Sequence, residues 1–425
     1  MKNSRQILII GLDGMPYRLI RDMASSGVMQ NTEELIRSSR LQPMESSIPE
    51  VSCVSWSSII TGKNPGEHGI FGFTDIMPRS YGLRFPNYAS LAAQPFWETH
   101  QDRRAVILNV PSTYPARAMN GIHVAGFVVP RIEKAVYPLE VLDSLQESDY
   151  RVDVNARKGH ESIPLFLEDL EKTLSARIAL AEKLWEEDWL TFMLVFTGTD
   201  RLGHFLWEAY EDERHSNHAD FLEHLRKIDR AIGRFVDRLD KDAGIIMLSD
   251  HGFERLRAEV HVNRVLQDYG FLSLDRDKQG FSGIQSQSRA FALDPGRIYI
   301  HTEGKYPRGS VTAKQREAIV REIYTLFEEL KVEGRPAVRD IYRREDIYVG
   351  ARVDDAPDLV LVGDRGISLR AGLDQPSGDR ESPFTGKHSQ SDAFLLVCGL
   401  SETVVIENAN VTDVVGIIDH MIEGG

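Results

Sequence analysis

Three aspartates each follow a short apolar run. ILIIGLD ends in Asp13, FMLVFTGTD ends in Asp200, and IIMLSDH carries Asp250 and His251. His204 stands four residues beyond Asp200. One helical turn of spacing puts Asp200 and His204 on the same helix face. Carboxylates and imidazoles are the donors that zinc and manganese take. Each residue also has a plainer reading. Asp13 suits a turn, Asp250 suits a cap, and His204 suits a satisfied core histidine. Taken together, three strand-end aspartates, two of them joined by a histidine, read as a metal site.

A second feature is VSCVSWSSIITG, residues 51–62, which is dense in hydroxyls. Pro49 keeps the preceding chain extended, residues 53–61 read as a helix, and Gly62 suits its C-terminal cap. Ser52 then sits at the helix N-terminus, where free N–H groups and the positive dipole end favour an anion. Its plain reading is an N-cap. Beside a metal it gains another, because a cation lowers the pKa of a hydroxyl and makes it a nucleophile at neutral pH. Ser55, Ser57, Ser58 and Thr61 read as helix surface or packing residues.

These residues need rigid elements to hold them. The runs Gln6–Leu12, Ala105–Val110, Leu190–Phe196, Ile245–Leu248, Asp358–Val362 and Phe394–Val397 read as buried parallel strands. Between them, Leu167–Trp185 and Phe221–Leu239 carry helical periodicity, and Val411–Ile422 reads as a closing helix. The alternation implies an α/β fold of three layers, α/β/α, with a mainly parallel central sheet. In such sheets ligands bind beyond the carboxyl ends of the strands, where the aspartates stand. We read residues 1–425 as one catalytic domain. Residues 111–165 and 255–385 break the pattern and read as excursions forming a cap or substrate region; a separate domain at 255–385 is the alternative.

The composition is ordinary for a globular chain: 425 residues, 42% hydrophobic, 27% charged, with a formal net charge of -14. That charge argues against a nucleic-acid duplex as partner. An anionic substrate requires local cations to reverse the field. No apolar run approaches the roughly 18–20 residues that span a bilayer, so no membrane partner is expected. The first residues read as a strand rather than a signal peptide. Two cysteines, Cys53 and Cys398, make no disulfide framework, and a cytoplasmic location is expected.

GLDG, then PEVSCVSWSSIITGKNPGEHGIFGF, TDRLGH, SDHGF and a late GKH resemble, in that order, the motifs of the alkaline phosphatase superfamily. The chain is most similar to its type I phosphodiesterase/nucleotide pyrophosphatase branch and to predicted phosphohydrolase/phosphomutase relatives. The resemblance implies two divalent metal ions, zinc or alternatively manganese, and a Ser or Thr nucleophile that becomes covalently phosphorylated. Matched motif to motif, Ser52 is that nucleophile. Asp13, Ser52, Asp250 and His251 would hold one metal; Asp200, His204 and His388 would hold the other. Ser55 stands where nucleotide pyrophosphatases carry an Asn that binds a phosphoryl oxygen. Arg201 and Lys387 flank ligand positions as further candidate phosphate contacts. His68 falls in an element that the family uses structurally. The sulfatase pattern C/S-x-P-x-R is absent around Cys53.

The expected function is hydrolysis of a small-molecule phosphate ester, a phosphodiester or a nucleotide pyrophosphate bond. Alternatives within the superfamily are a phosphomonoesterase and a phosphomutase. The mutases carry a large inserted domain, for which residues 53–199 leave limited room. A non-catalytic, metal-bound binding module is the alternative of another class, and the filled ligand positions argue against it.

Overall fold

The computed structural model describes residues 5–77, 79–275, 277–373, 383–399 and 406–424. The chain divides into two compact units. The first comprises Met1–Lys63, Asn87–Phe253 and Pro383–Gly425; the second comprises Asn64–Pro86 and Glu254–Ser382.

The first unit is built on a sheet of eight strands: β1 (Ile7–Leu12), β2 (Arg40–Met44), β3 (Ala105–Val110), β4 (Gly121–Ala125), β5 (Val136–Tyr137), β6 (Thr191–Phe196), β7 (Gly244–Leu248) and β8 (Ala393–Cys398). Their order is β2-β8-β7-β1-β6-β3-β4-β5. The middle strands β7, β1, β6, β3 and β4 run parallel. At one end β8 lies antiparallel to both β7 and β2, and at the other β5 lies antiparallel to β4. Side chains of β1 alternate between two cores, as a strand with period two must when both faces are covered. Leu8, Ile10 and Leu12 join Leu170, Leu174, Phe221 and Ile228. Ile7 and Ile9 join Trp56, Ile59, Ile417 and Ile418. These partners lie on the helices α1 (Ser52–Thr61), α2 (Ile163–Trp185), α4 (His218–Val236) and α5 (Val414–Glu423), and α3 (Gly198–Glu211) adds Leu202, Phe205 and Leu206 to the first of the two cores.

The second unit has its own core. A four-stranded antiparallel sheet runs in the order Ala290–Leu293, Arg297–Ile300, Leu359–Gly363, Val338–Arg343. Ile319, Ile323 and Phe327 of the helix Ala313–Glu329 share a cluster with Phe291, Ile298 and Leu361.

Two strand expectations are corrected. The run at Asp358–Val362 is the strand Leu359–Gly363, and it belongs to the antiparallel sheet of the second unit. A short fully buried apolar strand reads the same in either kind of sheet. The final run, Phe394–Val397, is in the central sheet but antiparallel to its neighbours. Excursion 111–165 lies in the first unit, and the described part of 255–385 up to residue 373 lies in the second. Among the described residues, no helix is long and apolar enough to cross a membrane.

Candidate metal and phosphoryl-transfer site

Strands β7, β1 and β6 are consecutive in the sheet, and each releases its functional residues at its carboxyl end. Asp13 follows β1 directly. Ser249, Asp250 and His251 follow β7. After β6 the chain turns into α3, whose first turn carries Asp200. The turn after Asp13 needs Gly14: its φ is 67°, and a Cβ there would lie 2.9 Å from the Phe253 ring. The Gly14 N–H donates to Asp250 Oδ1 at 3.0 Å, tying the ends of β1 and β7 together.

Ser52 is the first residue of α1 and makes no capping bond there; the cap position is Val51, without a side-chain cap. Its plain reading as an N-cap therefore falls away. The Ser52 Oγ lies 3.1 Å from His251 Nε2 and 3.4 Å from Asp13 Oδ1. Gly62 ends the helix in the left-handed conformation, at φ 64°.

His388 comes from the strand Gly386–Ser389, which is held to α3 at a break in that helix. Leu206 is non-helical. There the Thr385 N–H donates to His204 O, and Thr385 Oγ1 accepts the Trp207 N–H, both at 2.7 Å. These bonds bring His388 beside His204, and their Nε2 atoms are 3.0 Å apart. Asp200 Oδ1 is 3.0 Å from His388 Nε2 and 3.5 Å from His204 Nε2. His251 joins the two groups: its ring stacks on that of His388, with centroids 3.7 Å apart. Ligand-capable atoms of Asp13, Asp250 and His251, and of Asp200, His251 and His388, lie within 4.8 Å of one another in each set.

The three imidazoles are oriented alike. His204 Nδ1 faces Gly386 O, His251 Nδ1 faces Gly252 O, and His388 Nδ1 faces Glu50 O, at 3.3, 3.1 and 3.0 Å. A carbonyl only accepts, so each Nδ1 carries a proton and each Nε2 is turned to the centre. Two neutral imidazoles so arranged would oppose lone pairs across 3.0 Å. Asp250 Oδ2, 3.3 Å from His251 Nε2, is buried and accepts no hydrogen bond. Both features call for a positive charge, either an additional proton or a metal ion.

Burial and mutual charge within the cluster create the same demand. Burial, then the charges of Asp250 and Asp200, pushes Asp13 well above the usual carboxylate range. Burial is also the main reason that Asp250 is pushed up to about 7. His204 is lowered to about 3 and His251 well below its ordinary value, chiefly by burial. For Asp200, burial acts upward, but His204, His388 and Arg201 outweigh it and hold the carboxyl far below normal. For His388, burial acts downward and is overcome by the hydrogen bond and charge of Asp200, so its pKa is raised. Carboxylates and imidazoles drawn together in this way form a donor set that fits divalent cations of the zinc or manganese kind.

Asp13, Ser52, Asp200, His204, Asp250, His251 and His388 thus converge. The three other candidates have different surroundings. Ser55 is fully buried, its hydroxyl bonded to Ser46 Oγ at 2.9 Å and Ser47 Oγ at 2.8 Å. Ser46 in turn donates to Asp250 O at 2.6 Å. The Arg201 guanidinium is engaged by Asp153 and Asp200. Lys387 is buried, next to His388 in the chain. His68 lies in the second unit, where its Nδ1 accepts the Ile70 N–H at 3.1 Å.

Two positioning contacts escape the sequence reading. The indole N–H of Trp56 donates to Asp13 Oδ2 at 3.0 Å, and the Thr199 hydroxyl donates to Asp13 O at 2.6 Å. Trp56 reads as core by residue type, and it is fully buried. The available signal was its place four residues after Ser52, on the same helix face, since a buried indole N–H needs an acceptor.

A profile described as "Type I phosphodiesterase / nucleotide pyrophosphatase" matches residues 7–390. Among solved structures, phosphonoacetate hydrolase from Sinorhizobium meliloti 1021, in complex with phosphonoformate, is 15% identical with a TM-score of 0.67. That alignment covers 99% of this chain and 96% of the other. Murine ectonucleotide pyrophosphatase/phosphodiesterase 5, an inactive variant in complex with AMP, is 13% identical with a TM-score of 0.57, over 98% and 95% of the two chains. The human protein of the same name is 15% identical with a TM-score of 0.54, over the same shares. No curated protein matches the sequence. At these identities the solved structures establish the shared alkaline phosphatase-like fold, while the profile covers nearly the whole chain. The chain is an enzyme of the phosphoric ester hydrolase class and belongs to the type I phosphodiesterase/nucleotide pyrophosphatase family.

Proposed function

We propose that this protein hydrolyses phosphodiester or nucleotide pyrophosphate bonds of a small molecule, using Ser52 as nucleophile and two divalent metal ions, zinc with manganese as the alternative. Asp13, Ser52, Asp250 and His251 would hold one ion, and Asp200, His204 and His388 the other. When bound, such ions lower the pKa of hydroxyl and water and neutralise charge on the phosphoryl oxygens. The observation that carries the reading is the position of Ser52. It opens α1, caps nothing, and points its hydroxyl at Asp13 and His251.

In the first half-reaction the Ser52 Oγ–P bond forms and the bond from phosphorus to the leaving oxygen breaks. The Ser52 proton passes to solvent, and the leaving group takes up a proton as it departs. In the second, water adds to phosphorus, the P–Oγ bond breaks, and Ser52 recovers its proton. Trp56 and Thr199 hold Asp13 in place through both steps. Ser55 and Arg201 fit positioning better than phosphate contact, because their polar atoms already have protein partners. We assign the choice of ester to residues 111–165 and 255–385. We infer a cytoplasmic location from the cysteine usage of the sequence, whose two cysteines make no disulfide framework.

Ser52→Ala is expected to lower kcat on a chromogenic phosphodiester by roughly 10³-fold or more, as loss of a covalent nucleophile does elsewhere. A chelator should abolish wild-type activity, and added zinc or manganese should restore it. Full activity in Ser52→Ala would overturn the assignment.

A further inference from the structure

Arg201 follows Asp200 in α3 and would be an obvious phosphate clamp if its donors were free. They are directed elsewhere. Nε and Nη2 donate to Asp153 Oδ2 at 3.1 and 2.6 Å, and Nη1 donates to Asp200 Oδ2 at 3.3 Å. The guanidinium also lies over the Phe127 ring, 5.0 Å from its centroid. We propose that Asp153 and Arg201 are positioning residues for Asp200, and that this pair sets the affinity of the metal held by Asp200, His204 and His388. The proposal rests on the two-metal reading above.

The two oxygens of Asp200 have separate duties. Oδ1 faces His388 and His204, whereas Oδ2 is held by Arg201. A carboxylate held at one oxygen cannot swing freely about its last bond, so the other oxygen keeps its aim. Arg201 can hold it because Asp153 Oδ2 fixes the guanidinium along its Nε–Nη2 edge and leaves Nη1 for Asp200, a geometry that a lysine ammonium cannot copy.

Asp153 is anchored in its turn. The Thr197 hydroxyl donates to Asp153 Oδ1 at 3.2 Å and accepts from Arg177 Nη1 at 2.9 Å. Arg177 Nη2 donates to Val152 O at 2.6 Å. The chain of bonds thus runs from α2, through the residue after β6, to the 151–155 segment and back to α3. It gives part of excursion 111–165 a definite task, which is to orient a ligand.

The test is zinc titration of the full-length, metal-stripped protein against a chromophoric competitor chelator. Wild type, Asp153→Asn and Arg201→Lys are compared, with thermal melts of the metal-free proteins alongside. Wild type is expected to bind two zinc ions. Asp153→Asn should weaken one of them by roughly 10- to 100-fold, the range for loss of an outer-shell partner. The other ion and the metal-free melting temperature should change little. Arg201→Lys keeps the charge and loses the fork, so it should weaken the same ion. Unchanged affinities in both variants would overturn the proposal and leave the two-metal reading standing. Equal weakening of both ions with a lowered metal-free melting temperature would also overturn it, since that marks a general structural role. A wild type that binds no zinc would sink both.

Discussion

Asp250 illustrates how the cluster trades stability for binding. Its carboxyl is buried near Asp13 and Asp200, and its pKa is pushed up to about 7. Its unfolded value is about 3.9. The native state therefore binds more protons than the unfolded state between these values. The contribution to stability is fully present below about pH 4 and is lost as pH rises through about 7. In metal-free protein, Asp250→Asn should then raise the melting temperature at pH 8, with the gain shrinking as the pH falls toward 4. The Asn side chain still offers Gly14 an acceptor, so the turn survives. The same variant should bind zinc more weakly, because it lacks a charged donor. Melts at several pH values check the first part and zinc titration the second. A variant less stable than wild type at pH 8 would contradict the account.

At the scale of elements, the close seating of α1 on β1 is what places Ser52. Gly11 makes it fit: a Cβ there would lie 2.4 Å from the Trp56 ring and 2.9 Å from Val195. Gly11→Ala should push Trp56 away from Asp13, lower kcat and destabilise the protein by about 1–3 kcal/mol, the usual cost of overpacking. Denaturant melts and kinetics check this; unchanged values of both would show that α1 seats independently of Gly11. Much of this scale was legible in the sequence. Ser52–Thr61 with Gly62 as its cap, and the long helices α2 and α4, follow from periodicity and capping residues. Asp13, Asp200 and Asp250 stood out because strand ends are easy to find, and His204 and His251 by adjacency. His388 was reachable only through motif resemblance, since its approach to His204 depends on Thr385 and the break at Leu206. Strand direction was not legible for Leu359–Gly363 or Ala393–Cys398, because burial on both faces erases the alternation that would distinguish the sheets. Arg40–Met44 carries Gln42 and Pro43, so it gave no apolar run to notice. The Trp56, Thr199 and Asp153 contacts were illegible because each depends on tertiary approach rather than on spacing.

Across the whole molecule, the net charge of -14 and a site holding Asp13, Asp200 and Asp250 would repel a phosphate ester. Binding an anion in such a place requires cations, which the proposed metal ions would supply. The same cations would give Ser52 its proposed role as nucleophile. The most direct test of that role is to quench turnover of a phosphodiester in acid and search the proteolytic peptides for a phosphoryl or nucleotidyl adduct by mass spectrometry. The account predicts an adduct on the peptide containing Ser52, formed only with metal present and absent from Ser52→Ala. Sustained metal-dependent hydrolysis with no adduct at any time point, and undiminished in Ser52→Ala, would contradict it.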